Sequence, residues 1–381
     1  MKIVYIVKYI AQLGGLDRVL SYKMNYLDDQ LGYEVFLLTY EQGDHPISFP
    51  LSPKIEHTDI NVRFFTRHKY SLLKRLFLYF KMRDSFMKRL NEKVDIIKPD
   101  IIVTLTDSYS LIDVIMQLSR KAKIIVESHV ARSGTIKQND FANNPLLHFI
   151  SKQYDNYILH CLKRCDAFVT LTEGDCKLWS DVPNRIVIPN PISLNQNEYS
   201  TLRNKRVISI GRLEPQKGFD MLIDAWKIVY SKHNDWCLDI YGDGGLHDTL
   251  ESQIKNLGLS DSCKIHSATN DISSKYLESS IYAMSSLYEG FGLVLIEAMS
   301  FGIPCVSFNC PYGPSDIISD NKDGILVEPN NVFLLADSIN YLIENEDKRF
   351  EYGRQAKINV QKFSPENIMP KWDELFRSLL K

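Results

Sequence analysis

The chain has 381 residues, 44% hydrophobic and 24% charged, which is too apolar for a disordered protein and long enough for two domains rather than one core. Its seven cysteines are scattered without a CxxC pair, which sets aside a zinc site and a disulfide framework in favour of reduced, mostly buried thiols. The net charge of −2 is uneven: residues 1–190 carry 26 Lys and Arg against 21 Asp and Glu (+5), residues 191–381 carry 19 against 26 (−7), so the two halves should have different tasks.

The opening MKIVYIVKYI is too short and too charged for a secretory signal and reads as a first strand, KIVYIV (2–7). QLGGLDRVL (12–20) puts Gly14 and Gly15 where that strand ends and a helix begins. Paired glycines let backbone approach a ligand and a helix N-terminus offers free N–H groups, although a plain turn is spelled the same way. A second strand follows at YEVFLLT (33–39).

Residues 63–93, RFFTRHKYSLLKRLFLYFKMRDSFMKRLNEK, hold ten Lys and Arg against Asp84 and Glu92, a local charge of +8. Leu72, Leu73, Leu76, Phe77, Tyr79, Phe80, Met82 and Phe86 are interleaved with them. A basic amphipathic helix of this kind reads as an element for peripheral contact with an anionic membrane, or as a core helix with solvated cations. No nucleic-acid motif accompanies it, so nucleic acid is not expected as a partner. Strands at DIIVTLT (100–106), KIIVES (123–128) and AFVTLT (167–172) complete the first half. No apolar run approaches the ~20 residues that span a bilayer, so a cytoplasmic protein, peripheral at most on the inner face of the membrane, is expected.

VIPNPI (187–192), stiffened by two prolines, reads as a connector. The predicted domains are therefore 1–190 and 191–364, followed by a final helix at about 365–381. Strands in the second half are predicted at RVISIG (206–211), WCLDIYG (236–242), CKIHS (263–267), SSLY (285–288) and PCVSF (304–308). Near-continuous apolar strands separated by helical patterns mean parallel sheets covered on both faces. Two such series predict an α/β protein with two doubly wound domains. Ligands are expected at the carboxyl ends of the strands, in a cleft where the domains face each other.

Three stretches of the second half carry chemistry. In GRLEPQKGFDMLIDAW, Arg212 and Lys217 bracket a turn at the carboxyl end of a strand. Arg forks across two phosphate oxygens and Lys acts as a point charge, a solvated surface pair being the plainer alternative. IYGDGG (240–245) is another glycine-rich loop, but neither it nor the first loop is GxGxxG, which weakens a dehydrogenase. In YEGFGLVLIEAMSF (288–301), Glu289, Gly290, Phe291 and Gly292 precede a helix apolar on every side, and such a helix is buried. Glu297, in its second turn, needs a partner there. A ribose diol would offer it two O–H donors, and an internal Arg or Lys would also serve. The glycines leave the N–H groups from Phe291 to Leu293 open to hydroxyls or phosphate. In PYGPSDII (311–318), Ser315 or Asp316 is expected to cap the helix that follows.

GRLEPQKG, EGFGLVLIE and GIPCVSF together resemble the retaining glycosyltransferases of family 4, most specifically over 206–330 and more loosely elsewhere along the chain. The resemblance implies the GT-B fold, two Rossmann-like domains facing across a cleft, with the last helix crossing back to the first. It implies transfer of a hexose or N-acetylhexosamine from a nucleotide-sugar, UDP by default with GDP open, with retention at the anomeric carbon, no cofactor and no required metal. The acceptor it implies is a glycan or polyprenyl-linked glycan, in surface polysaccharide or glycoconjugate synthesis.

By position, the resemblance assigns Arg212 and Lys217 to the departing diphosphate, Glu289 to donor-sugar hydroxyls and Glu297 to the ribose. Amides along Gly290, Phe291, Gly292 and Leu293 would contact sugar and phosphate. Gly14 and Gly15 match the family's loop near the diphosphate and acceptor, with Asp17 where Glu is commoner. His129, at the end of IIVESHV, matches a histidine that reaches the donor sugar and aids catalysis, a satisfied structural histidine being the alternative. Gly313-Pro314-Ser315 departs from the commoner Gly-Gly-x-x-Glu form and is similar to members with galactose-type donors. Two alternatives stay open: a nucleotide-sugar epimerase of the same fold, and a non-catalytic nucleotide-sugar-binding protein.

Overall fold

The computed structural model describes residues 1–106, 111–132, 145–194 and 198–381. The chain divides into two units, one of Met1–Ile188 with Met369–Lys381 and one of Pro189–Ile368, each built on its own sheet.

The first unit holds seven strands: β1 (Lys2–Val7), β2 (Glu34–Thr39), β3 (Glu56–Asp59), β4 (Ile101–Leu105), β5 (Lys123–Ser128), β6 (Ala167–Thr170) and β7 (Arg185–Val187). Their order is β3-β2-β1-β4-β5-β6-β7, every pairing parallel. The second unit holds β8 (Arg206–Ile210), β9 (Cys237–Tyr241), β10 (Cys263–His266), β11 (Ile281–Met284), β12 (Cys305–Phe308) and β13 (Gly324–Val327), in the order β10-β9-β8-β11-β12-β13, again all parallel. Both are the doubly wound halves of a GT-B fold. The central strands β1, β4, β5, β8 and β11 are apolar and buried almost end to end, as a sheet covered on both faces requires. In each unit the chain order reverses beside the first strand, between β1 and β4 and between β8 and β11, and loops after such strands are where an open α/β sheet holds ligands.

Two features differ from the sequence expectation. The strand placed at SSLY (285–288) is IYAM, Ile281–Met284, four residues earlier. Its four side chains are buried and pair with β8 and β12, so Ser285 begins the loop beyond the carboxyl end. Three strands carried no sequence signal. β3 (EHTD) and β7 (RIV) are sheet edges with polar or exposed residues, and β13 (GILV) follows a polar turn.

Five helices matter below: α1 (Gly15–Asp29), α2 (Leu72–Ile97), α3 (Phe219–Lys232), α4 (Leu293–Ser300) and α5 (Pro365–Leu379). α1 starts from Gly14 in extended conformation. α4 is buried from Leu295 through Ser300, as its composition demands. In the first unit α5 buries Met369, Trp372 and Phe376, and Asp373 accepts a hydrogen bond from the Tyr33 hydroxyl. In α2, Phe86 is fully buried and Tyr79 and Met82 pack partly against the core, while Leu76, Phe77 and Phe80 are exposed. The interleaved apolar residues thus split between two faces; the side chains of Leu72 and Leu73 lie outside the described residues. All seven cysteines are free thiols.

Candidate active site

The second unit assembles its site from the loops after β8 and β11. Residues 211–218 turn back from β8 into α3. Gly211 has no side chain where the stem of Lys217 crosses it, and a Cβ there would sit 3.2 Å from those methylenes. Gly218 is left-handed (φ +58), and a Cβ on it would come within 2.4 Å of the Ser285 carbonyl oxygen, so the turn rests directly on the loop after β11. Hydrogen bonds stitch the two together. The Leu287 N–H donates to the Gln216 carbonyl at 2.8 Å, the Gln216 side-chain amide to the Tyr288 carbonyl at 2.8 Å, and the Ser285 hydroxyl to the Lys217 carbonyl at 2.9 Å.

This places Lys217 Nζ 2.7 Å from Glu289 Oε1, with both side chains largely buried. An ammonium has three donors and this contact uses one. Arg212 lies exposed five residues before Lys217 and makes no side-chain ion pair with any described residue. Beside the pair sits the thiol of Cys310, which burial and then the Glu289 charge push to about 12, so it is inert as a nucleophile.

From Glu289 the chain passes through Gly290, Phe291 and Gly292 into α4. Gly292 has φ +97 and takes the position just before the helix. Phe291 is buried edge-on against Phe363, ring centroids 5.4 Å apart. Among the described residues no protein acceptor takes the backbone N–H of Gly290, Phe291, Gly292 or Leu293. A row of unclaimed amides at the start of a helix attracts anions and sugar oxygens. The segment 311–314 braces this loop: the Glu289 N–H donates to the Pro311 carbonyl at 3.3 Å, and a Cβ on Gly313 (φ +113) would fall 2.0 Å from the Phe291 carbonyl oxygen. Gly313 itself precedes the short helix Pro314–Ile317, and no side chain caps it. The expected cap by Ser315 or Asp316 is absent because Pro314 takes the first helical position, which puts both residues inside the helix.

Glu297 faces a partner that neither sequence alternative named. The Tyr276 hydroxyl donates to its Oε2 at 3.0 Å, and Tyr276 is fully buried with its ring stacked on Phe301. A phenol supplies one proton to a carboxylate that can accept several. A tyrosine 21 residues upstream gives no sequence signal for that contact.

In the first unit, Gly14 and Gly15 follow β1, and the space where a Gly14 Cβ would point is open. Asp17 closes this loop by accepting the Gln12 N–H at 2.7 Å. His129 comes directly after β5, its Nε2 2.9 Å from Glu127 Oε2, and the same oxygen is 2.6 Å from Lys23 Nζ. Sequence reasoning passed over Glu127 and Lys23. The signal was available, because KIIVES holds a carboxylate at the end of an apolar strand, the same anomaly that singles out Glu297. Among the described residues no group of three or more His, Cys, Asp or Glu side chains is gathered as metal ligands would be.

The chain matches the family model described as glycosyl transferases group 1 over residues 195–359. It is 31% identical over 375 residues to an uncharacterized glycosyltransferase of Haemophilus influenzae, covering 97% of this chain and 98% of that one. It is 33% identical over 231 residues to the poly(ribitol-phosphate) alpha-N-acetylglucosaminyltransferase of Staphylococcus aureus, covering 60% of this chain and 47% of that one. Among solved structures it is similar to a TarM variant of S. aureus in complex with fondaparinux, alpha-GlcNAc-glycerol and UDP. The TM-score is 0.76 at 19% identity, over 99% of this chain and 100% of that one.

Proposed function

Because the chain belongs to the glycosyl transferases of group 1, we propose that it moves a hexose or N-acetylhexosamine from a UDP-sugar to a glycan or lipid-linked glycan, with retention and without a metal. The observation that carries this reading is the row of unclaimed amides from Gly290 to Leu293, which directly follows Glu289 and its ion pair with Lys217. In the transfer, the bond from the anomeric carbon to the phosphate oxygen breaks while the bond to the acceptor oxygen forms. Negative charge grows on the departing diphosphate, and fixed cations and amides there stabilise the transition state. Arg212 and Lys217 supply the positive charge that a metal would otherwise bring. Glu289 takes donor-sugar hydroxyls, and Glu297, steadied by Tyr276, takes the ribose. The acceptor approaches on the face the diphosphate leaves, and a diphosphate oxygen takes its proton. A relative that is an alpha-N-acetylglucosaminyltransferase and a similar structure solved with UDP support the choice of donor class.

A thermal-shift screen of UDP- and GDP-sugars tests the donor. A UDP-sugar at a hundred times its Kd should add about 2.7 kcal/mol of stability. Transfer from that donor in EDTA should give a product whose anomeric configuration by NMR equals the donor's. No shift with any nucleotide-sugar would overturn the reading, and an inverted product would overturn retention. Interconversion of the donor sugar without acceptor would favour an epimerase.

The exposed face of α2 supports a further element of this reading, peripheral contact with an anionic bilayer. Leu76, Phe77 and Phe80 are 56%, 68% and 52% exposed, with Lys74 and Lys81 exposed beside them. No described helix is long and apolar enough to cross a membrane, so the contact proposed is with the surface. Each basic residue near anionic lipid contributes about 1 kcal/mol. Charge reversal at Lys74, Arg75 and Lys81 should therefore abolish flotation with phosphatidylserine liposomes and leave the free protein's Tm unchanged. Undiminished flotation would remove the membrane contact.

A further inference from the structure

Inside the first unit, one carboxylate oxygen is shared by a lysine ammonium and a histidine ring nitrogen. β5 presents Glu127, fully buried, next to last in the strand. α1 presents Lys23, 1% exposed, with Nζ 2.6 Å from Glu127 Oε2. His129 Nε2 is 2.9 Å from the same atom. Trp372 of α5 covers Lys23, its ring centroid 3.7 Å from Nζ. Among the described residues, Tyr5 of β1 is the remaining titratable group facing the carboxylate, its hydroxyl pushed up by burial and then by the Glu127 charge.

Such a cluster is a poor device for stability. A buried Lys–Glu pair is commonly no better than apolar residues of the same volume. Glu127 Oε1, moreover, is buried with no hydrogen-bond partner among the described residues. What the arrangement does control is the histidine. Burial raises the Glu127 carboxyl, but Lys23 and His129 outweigh burial and hold it at about 2. An ionised carboxylate only accepts, so in the neutral imidazole Nε2 must carry the proton and Nδ1 the lone pair. Nδ1 makes no hydrogen bond to a described residue.

We propose that Glu127 is a positioning residue for His129, locking its ring and tautomer so that Nδ1 is the nitrogen offered to a substrate hydroxyl, and that Lys23 supplies the counter-charge His129 would otherwise have to supply. This rests on the catalytic role that the family resemblance implies for His129. Neither Glu127 nor Lys23 touches the reacting atoms.

The test combines NMR and kinetics on the full chain. With ¹⁵N-histidine labelling, the His129 ring signals are identified by their loss in His129→Ala, and the wild-type pattern should be that of the Nε2–H tautomer. The double variant Lys23→Met/Glu127→Gln removes both charges and keeps the volume. It should give mixed tautomers and a kcat lower by roughly tenfold to a hundredfold, with donor KM little changed. A wild-type Nδ1–H tautomer, or a folded double variant with wild-type kcat and tautomer, would overturn the proposal. If the double variant does not fold, the wild-type tautomer alone decides. Full activity in His129→Ala would instead refute the catalytic role of His129, while the ring signals still report whether Glu127 sets its tautomer.

Discussion

Lys217→Ala should lower kcat by roughly a hundredfold to a thousandfold and leave acceptor KM nearly unchanged, the loss expected when one preorganised group is removed from a developing oxyanion. The ammonium sits at the carboxyl end of β8, its stem held over Gly211 and its charge beside Glu289. Two effects are mixed in that variant. One is the loss of positive charge at the departing diphosphate. The other is Glu289, 6% exposed, left without its cation. Comparing Lys217→Ala/Glu289→Gln with Glu289→Gln alone separates them, because neither variant holds a stranded charge, both alter the Glu289 contact with donor-sugar hydroxyls equally, and only the double variant lacks the cation at the phosphate. If the two turn over equally, Lys217 serves Glu289 and not the diphosphate. If turnover in Lys217→Ala equals wild type, the phosphate role is wrong. Lys217→Arg keeps the charge but replaces a compact ammonium by a planar fork. It should recover part of the activity, since Gly211 fits an unbranched stem.

Much of this site could be read from the sequence for one physical reason. Lys217, Glu289 and Glu297 are charges beside or within apolar runs, and a charge buried in such a place needs a partner, while the exposed Arg212 is marked by its position at the carboxyl end of a strand. The sequence could not show that two of them are each other's partner. Lys217 and Glu289 are 72 residues apart, and their meeting depends on β8 lying next to β11 and on Gly218 allowing the two loops to touch. The contact of Tyr276 with Glu297 depends in the same way on tertiary packing. The strand misplaced at SSLY shows another limit: Ser285 and Ser286 are buried like strand residues although they lie in the loop, so burial alone does not mark the boundary. β3 and β7 lie at sheet edges, where one side of the strand faces water and the apolar run that announces a central strand is not needed. Glu127, a carboxylate at the end of an apolar strand, obeys the same rule as Glu297, but its partner Lys23 lies 104 residues away, on a helix whose sequence does not announce the contact.

Lys23→Met should destabilise the first unit by about 3–5 kcal/mol, more than any single surface change, because it leaves Glu127 buried without its main counter-charge. The comparison that gives this number meaning is Lys23→Met/Glu127→Gln, which should be clearly more stable than the single variant although it carries one more substitution. The pH dependence supplies an independent sign. In the wild type the Glu127 carboxyl is held down at about 2, against an ordinary value of about 4.3 in the unfolded chain. Between those values the unfolded state binds the extra proton, so the Glu127 contribution is fully present above about pH 4.3 and is lost as pH falls towards 2. In Lys23→Met the sign reverses. The native state then gains by taking up a proton that neutralises the buried carboxylate of Glu127, left without its ammonium, and acidification from neutral pH stabilises the variant relative to its unfolded chain. Urea midpoints at pH 7.5 and 5.5 read both effects: the gap between wild type and Lys23→Met should be widest at pH 7.5 and should narrow at pH 5.5. A gap that is constant, or that widens on acidification, would mean that Lys23 is not the charge that keeps Glu127 ionised, and the geometry at β5 would need another explanation.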